Sequence, residues 1–201
     1  MTPPIQPVAS DARMPAAADV VIIGGGIAGV SAAWHLARKG HSVALVEKGQ
    51  VGAEQSGRNW GWVRQQNRDE RELPLIKHSL ELWGELNEAI GADTGFRRTG
   101  VLYVTDRQAD LDDWERWVTL ARGYQVHSTM LTAAQAREMT PGCDKPWLGG
   151  VHSPTDGKGE PAMAAPVLAE AARRLGVSLH QNCAARALDL APAVVTRLIA
   201  E

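Results

Sequence analysis

Four β-branched apolar residues, Val20-Val21-Ile22-Ile23, run straight into Gly24-Gly25-Gly26-Ile27-Ala28-Gly29. That junction restricts the fold more than any other part of the chain. The apolar run predicts a parallel strand buried on both faces. The glycine segment is G-x-G-x-x-G, and a helical pattern follows it, with Val30, Ala33, Trp34 and Ala37 on one face and a stop at Gly40. A second strand is expected over 42–46, ending at Glu47. Strand, glycine turn, helix, strand and terminal acid together predict an α/β chain with a three-layer, Rossmann-like FAD/NAD(P)-binding domain.

Each part has a physical role. Gly24 permits the tight turn, Gly26 lets a pyrophosphate approach the backbone, and Gly29 lets helix and strand pack closely. The free N–H groups at the helix start, around Ile27 and Ala28, and the positive end of the helix dipole favour phosphate. Glu47 is placed to accept hydrogen bonds from ribose hydroxyls, and its charge disfavours a 2′-phosphate there. On these residues the chain binds an adenine dinucleotide. The stretch 20–37 has no Asp, Glu, Lys or Arg and imitates a membrane span by length. Its glycine cluster fits a strand–turn–helix instead, so no transmembrane span is expected.

The 201 residues carry 23 acidic and 21 basic side chains and a formal net charge of −2. This balance gives no electrostatic reason to expect nucleic acid or an anionic membrane as partner. Hydrophobic residues at 44% fit an ordinary globular protein. Two cysteines, Cys143 and Cys183, allow neither a disulfide framework nor a four-thiolate metal site, so a reducing, cytoplasmic compartment is the default. The histidines are scattered without ligand spacing, and no metal site is expected.

The fingerprint alone does not decide between FAD and NAD. The loop after Glu47, KGQVGAEQSGRNWG, is long and rich in Gly and Ser, which suits backbone wrapped along an extended cofactor. With that loop, the run DVVIIGGGIAGVSAAWHLARKGHSVALVEKG resembles the D-amino-acid oxidase superfamily of FAD-dependent amine oxidoreductases, which includes glycine and sarcosine oxidases. RELPLIKHSLELWGEL, TGVLYV and SPTDGKGEPAMAAPVLAEAARRLGV extend the resemblance to about residue 188. The resemblance implies FAD with its pyrophosphate on Gly24, Gly26 and Gly29, its ribose on Glu47 and Lys48 nearby. It also implies Ser56, Arg58 and Asn59 along the flavin side, and the backbone of Ala185 against adenine. A small amino acid or secondary amine would be the substrate, with no electron acceptor indicated.

The same resemblance suggests a substrate-side basic residue after the loop. Arg64 is the candidate, because a guanidinium matches a carboxylate bidentately; Arg68 is its neighbour. Trp60 and Trp62 alternate across Gly61 and offer a ring either to the site or to packing. Asp156, in an Asp-Gly pair, reads as turn chemistry.

The expected organisation is a disordered leader over 1–18, with Met14 as an alternative start. A first cofactor-domain segment follows over 19–95, then part of an inserted α+β substrate domain over 96–150 and a return segment over 151–190. Residues 191–201 read as an aberrant tail, with Pro192 breaking a strand and a short helix over 194–200. A helix is expected over 71–90 with Leu75, Leu82, Leu86 and Ala89 inward. Thr132 is expected to N-cap a short helix, and Pro161 to open a helix reaching Leu175. Superfamily members are nearly twice this length, so the chain reads as truncated. The alternative function is therefore a non-catalytic dinucleotide-binding fragment.

Overall fold

The computed structural model describes residues 3–191 and 194–200. In chain order its strands are β1 (Val20–Ile23), β2 (Val43–Val46), β3 (Trp62–Val63), β4 (Val101–Thr105), β5 (Thr129–Thr132), β6 (Gly149–Ser153), β7 (Gly157–Lys158), β8 (Ser178–His180), β9 (Ala185–Ala191) and β10 (Val194–Ala200). Its helices are α1 (Ile27–Arg38), α2 (Leu73–Ile90), α3 (Gln108–Arg122), α4 (Ala133–Glu138) and α5 (Pro161–Arg174). The chain divides into two compact units. One takes Met1–Gly61, Asn87–Gly95 and Glu160–Glu201, the other Trp62–Leu86 and Phe96–Gly159. A boundary falls at the expected break after Gly95, whereas the return begins at Glu160 rather than 151 and the segment Trp62–Leu86 groups with the second unit. Residues 62–86 and 151–159 pair by antiparallel β3–β7 and by side-chain contacts inside the second unit.

The first unit is built on a parallel sheet in the order β1-β2-β8. Helices α1 and α5 pack on each other and on this sheet. Val30, Ala33 and Trp34 of α1, Val43–Val46 and the alanine-rich face of α5 are buried. Small side chains on α5 let the two helices approach closely. Strand β1 is not buried on both faces as expected: Val21 is 44% and Ile23 57% exposed. The two line, with Ala44 and with Leu188, Val195 and Leu198 of the β9–β10 hairpin, a cavity of about 520 Å³.

The segment 194–200, expected as a helix, is strand β10, paired antiparallel with β9. Val194, Val195, Thr196 and Ile199 are β-branched, and the partner strand outweighs the weak helical pattern. Pro192 lies outside the described residues. Residues 5–11 are tied to α5 and β8 by backbone and side-chain hydrogen bonds, in contrast to the disordered leader expected there. Among the described residues no helix is long and apolar enough to cross a membrane.

The second unit contains an antiparallel sheet in the order β4-β6-β5, packed by α3 and α4. Thr132 caps α4 in a full capping box with Gln135, as the sequence predicts. Leu73, Ala121 and Val126 form a small core with Trp117 and Tyr124 against it. Helix α2 begins after a 3-10 turn that Asp69 caps, and it buries Leu73, Leu80 and Ile90. Leu75 is 73% exposed and Leu82 is also outward, so the expected stripe is rotated. The helix carries a second apolar row at helical spacing through Leu73, Ile76, Leu80 and Trp83. That row packs, with Trp83 against Phe96 at 5.6 Å between ring centroids.

Candidate cofactor site

Gly24 leaves β1 with φ +107°, a conformation an L side chain rarely adopts, and its N–H donates to Val46 O at 2.8 Å. Gly26 is the N-cap of α1 and offers no side chain to the first turn. That turn also carries no acidic residue, so the positive end of the helix dipole stands uncancelled. A Cβ on Gly29 would lie 2.0 Å from Gly24 O, so helix and strand approach to a distance only glycine allows.

Ser56 enters this turn from the following loop. Its Oγ accepts the N–H of Ile27 at 2.9 Å and would lie 3.0 Å from a Cβ on Gly26. The hydroxyl therefore stands at the start of α1. Gly52 N–H donates to Gly25 O at 3.0 Å and binds the loop to the glycine turn a second time.

Glu47 is buried at the end of β2. One carboxylate oxygen accepts Gly25 N–H at 2.7 Å and the other accepts Gly49 N–H at 2.8 Å. Each oxygen keeps a second lone pair, so the carboxylate can hold the turn and still accept from a hydroxyl. Its own backbone bonds to His180 O and Cys183 N–H, and Asn182 N–H reaches Gly49 O, bringing 180–183 beside the acid. Ala185 follows as the first residue of β9, opposite Ala200. Lys48 and Arg58 are exposed and lie near Glu54, at 3.8 and 3.1 Å. Asn59 closes the loop on itself, donating to Gln55 O and Ser56 O and accepting Gly61 N–H.

The second unit holds a separate polar constellation. Arg64 lies over the Trp62 and Tyr103 rings, 5.5 and 5.9 Å from their centroids, and donates to the Gln66 carbonyl. Asp156 is fully buried and accepts the backbone N–H groups of Gln65 and Gln66, each at 2.9 Å. Burial pushes its carboxyl above the ordinary value, against the pull of those N–H donors and of Arg64. Ser153 donates to the Gln66 side chain at 2.5 Å and meets Ser128 at 2.5 Å. Reading Asp156 as turn chemistry therefore missed its part; its only local signal was a carboxylate in a run of small turn residues. Cys143 and Cys183 are free thiols. Among the described residues no three His, Cys, Asp or Glu side chains gather as a metal site would require.

A glycine turn feeding a helix from a parallel strand, with a buried acid at the next strand end, defines a dinucleotide-binding α/β protein. The family model of FAD dependent oxidoreductases matches residues 19–200, and the chain belongs to that family. The match runs through β10, the segment set aside above as aberrant. Human mitochondrial sarcosine dehydrogenase is 32% identical over 176 residues, covering 85% of this chain and 19% of that protein. Glycine oxidase of Geobacillus kaustophilus is 32% identical over 171 residues, covering 81% of this chain and 45% of that protein. The L-amino acid deaminase of Proteus myxofaciens, solved in complex with anthranilate, superposes with TM-score 0.91 at 29% identity, covering 98% of this chain and 45% of that one. The chain thus spans less than half the length of these relatives. FAD is the family's cofactor, and the residues present fit its nucleotide end: a glycine N-cap on α1, a first turn without an acidic side chain, and a buried acid at the strand tip.

Proposed function

We propose that this chain forms the dinucleotide-holding part of a flavin-dependent oxidoreductase acting on a small amino acid or secondary amine, in a reducing, cytoplasmic setting. The observation that carries the reading is the Gly24–Gly29 turn locked to Glu47. Gly24, Gly26 and Gly29 with the α1 start at Ile27 and Ala28 receive the pyrophosphate, Ser56, which takes the Ile27 N–H, flanks it, and Glu47 accepts from the ribose. Lys48, Arg58, Asn59 and the Ala185 backbone border the nucleotide. FAD, when bound, supplies the acceptor for a hydride equivalent from the carbon bearing nitrogen, leaving an imine that water hydrolyses.

The protein's work is then to orient the substrate. Arg64 is the group assigned to a substrate carboxylate. Its contacts with the Trp62 and Tyr103 rings limit its rotamers. Relatives named for sarcosine and glycine support an amine carrying a carboxylate as substrate. The test is to purify the chain, add FAD, remove the excess and record visible absorbance. A retained flavin spectrum that sarcosine or glycine bleaches supports the proposal, and colourless protein overturns it.

A second reading is a dinucleotide-binding piece without catalysis. The exposed Val21 and Ile23 on β1 favour it, since an oxidoreductase sheet covers both faces. A flavin spectrum that no amine bleaches selects this reading.

A further inference from the structure

Residues 5–11 form a strap along α5 and β8 where a disordered leader was expected. Asp11 makes two hydrogen bonds to Leu179 of β8: its backbone N–H donates to Leu179 O at 2.7 Å, and its side-chain carboxylate accepts Leu179 N–H at 2.8 Å. The same carboxylate takes the Arg173 guanidinium at 2.8 Å, and its carbonyl meets His180 Nδ1 at 3.0 Å. Ala9 N–H donates to Glu170 at 2.7 Å, and Gln6 N–H to Ala162 O at 3.0 Å. The strap is thus anchored along α5 and β8 by groups from three turns of one helix and one strand.

Two contacts carry the strap onward to the cofactor loop. Gln181 donates from Nε2 to Val8 O at 2.7 Å, while its Oε1 accepts Val51 N–H at 2.8 Å. Val51 is fully buried, and the next residue, Gly52, donates to Gly25 O inside the glycine turn. At the far end Ile5 reaches Gly57, where a Cβ would lie 2.6 Å from Ile5 Cδ1. Gly57 is the neighbour of Ser56, whose hydroxyl meets the α1 start. Both ends of the 51–57 segment are therefore held from outside by the strap, and both open onto groups assigned to the pyrophosphate.

We propose that residues 5–11 are a built-in part of the cofactor site, acting through Gln181 and Gly57 to hold the 51–57 loop in the geometry that receives the pyrophosphate. Gln181 is a positioning residue, and so is Ile5. The inference deepens the proposed function and rests on its reading of the glycine turn as an FAD site. A chain beginning at Met14 would lack the strap and hold FAD weakly.

The test compares the full chain with a deletion of residues 1–11, with Gln181→Met, which keeps length but removes both hydrogen bonds, and with Thr132→Ala as a control. The control loses a helix cap remote in sequence from the loop. FAD affinity is read by quenching of flavin fluorescence, and loop order by amide hydrogen exchange of the apo chain over 51–57. The strap variants should raise the Kd for FAD about tenfold, the loss expected for one or two hydrogen bonds, and should speed exchange over 51–57. Thr132→Ala should do neither. Unchanged exchange over 51–57 in Gln181→Met overturns the coupling, whether or not the deletion folds. A full chain that takes up no FAD overturns the cofactor reading instead, and the exchange result still decides whether the strap holds the loop.

Discussion

The carboxylate of Glu47 and the amide of Gly25 meet at 2.7 Å, so the acid at the end of β2 fixes the turn at the end of β1. One side chain thereby sets the backbone that faces phosphate and keeps lone pairs for a ribose. Glu47→Gln retains the shape but loses the charge and one acceptor oxygen. Charged hydrogen bonds contribute about 1.5–3 kcal/mol each, so FAD affinity should fall roughly ten- to a hundredfold. A fluorescence titration with FAD checks this, and unchanged affinity would remove Glu47 from the site.

The two glycines that flank the turn should respond differently. Gly29→Ala drives a Cβ into the Gly24 carbonyl and must separate α1 from β1, a cost of roughly 3 kcal/mol or more as an overpacked contact with backbone. Gly24→Ala meets no atom within 4 Å and bears only its backbone conformation, about 1–2 kcal/mol. Urea midpoints should rank wild type above Gly24→Ala above Gly29→Ala.

Asp156 anchors the Gln65–Gln66 backbone from inside the second unit. Asp156→Ala leaves two buried N–H groups without their acceptors and should cost about 2–5 kcal/mol, with Asp156→Asn between it and wild type. Because burial raises this carboxyl above 3.8, the folded state holds its proton more tightly than the unfolded chain. Its contribution therefore favours folding at low pH and fades as pH rises through the raised value. The acid limb of a denaturation profile should become steeper in Asp156→Asn.

Asp11 has the opposite sign. Its hydrogen bond from Arg173 holds the carboxyl below the ordinary 3.8, so its stabilisation is present above that pH and is lost as pH falls through the lower folded value. Partial exposure keeps the effect modest. Protection of the Leu179 amide should persist at pH 5 and be lost only below about 3.8, and Arg173→Ala should weaken that dependence, leaving the part due to the Leu179 N–H bond itself.

Arg64→Ala should raise KM for a carboxylated amine about ten- to a hundredfold while leaving FAD retention intact. Steady-state kinetics with sarcosine beside a flavin spectrum separate the two effects. An unchanged KM would return Arg64 to a packing role against Trp62 and Tyr103.

What could be read from the chain depended on distance along it. The Val20–Glu47 unit was legible because strand, turn and helix are local and the glycines have few other uses. Thr132 and Pro161 were legible for the same reason, as cap and first-turn residue. The contact of Ser56 with Ile27 was not legible, because the two are joined across a loop whose path no local rule fixes. Gln181 and Asp156 act on Val51 and Gln65, more than ninety positions away, and nothing in their neighbourhoods announces it. Helix α2 carried two apolar rows, and only packing against the Leu73 core chose between them. The 194–200 segment was set by pairing with β9, a contact that helical spacing does not see.

The Gly29 contact has an evolutionary side. Every single-base change that alters a glycine codon without stopping translation introduces a residue with a Cβ, and at this position any Cβ strikes the Gly24 carbonyl. Position 29 therefore has no tolerated neighbour in sequence space. The lineage can drift at Arg116, whose partner Asp113 is solvent-exposed, while this one site stays frozen for as long as the strand and helix remain together.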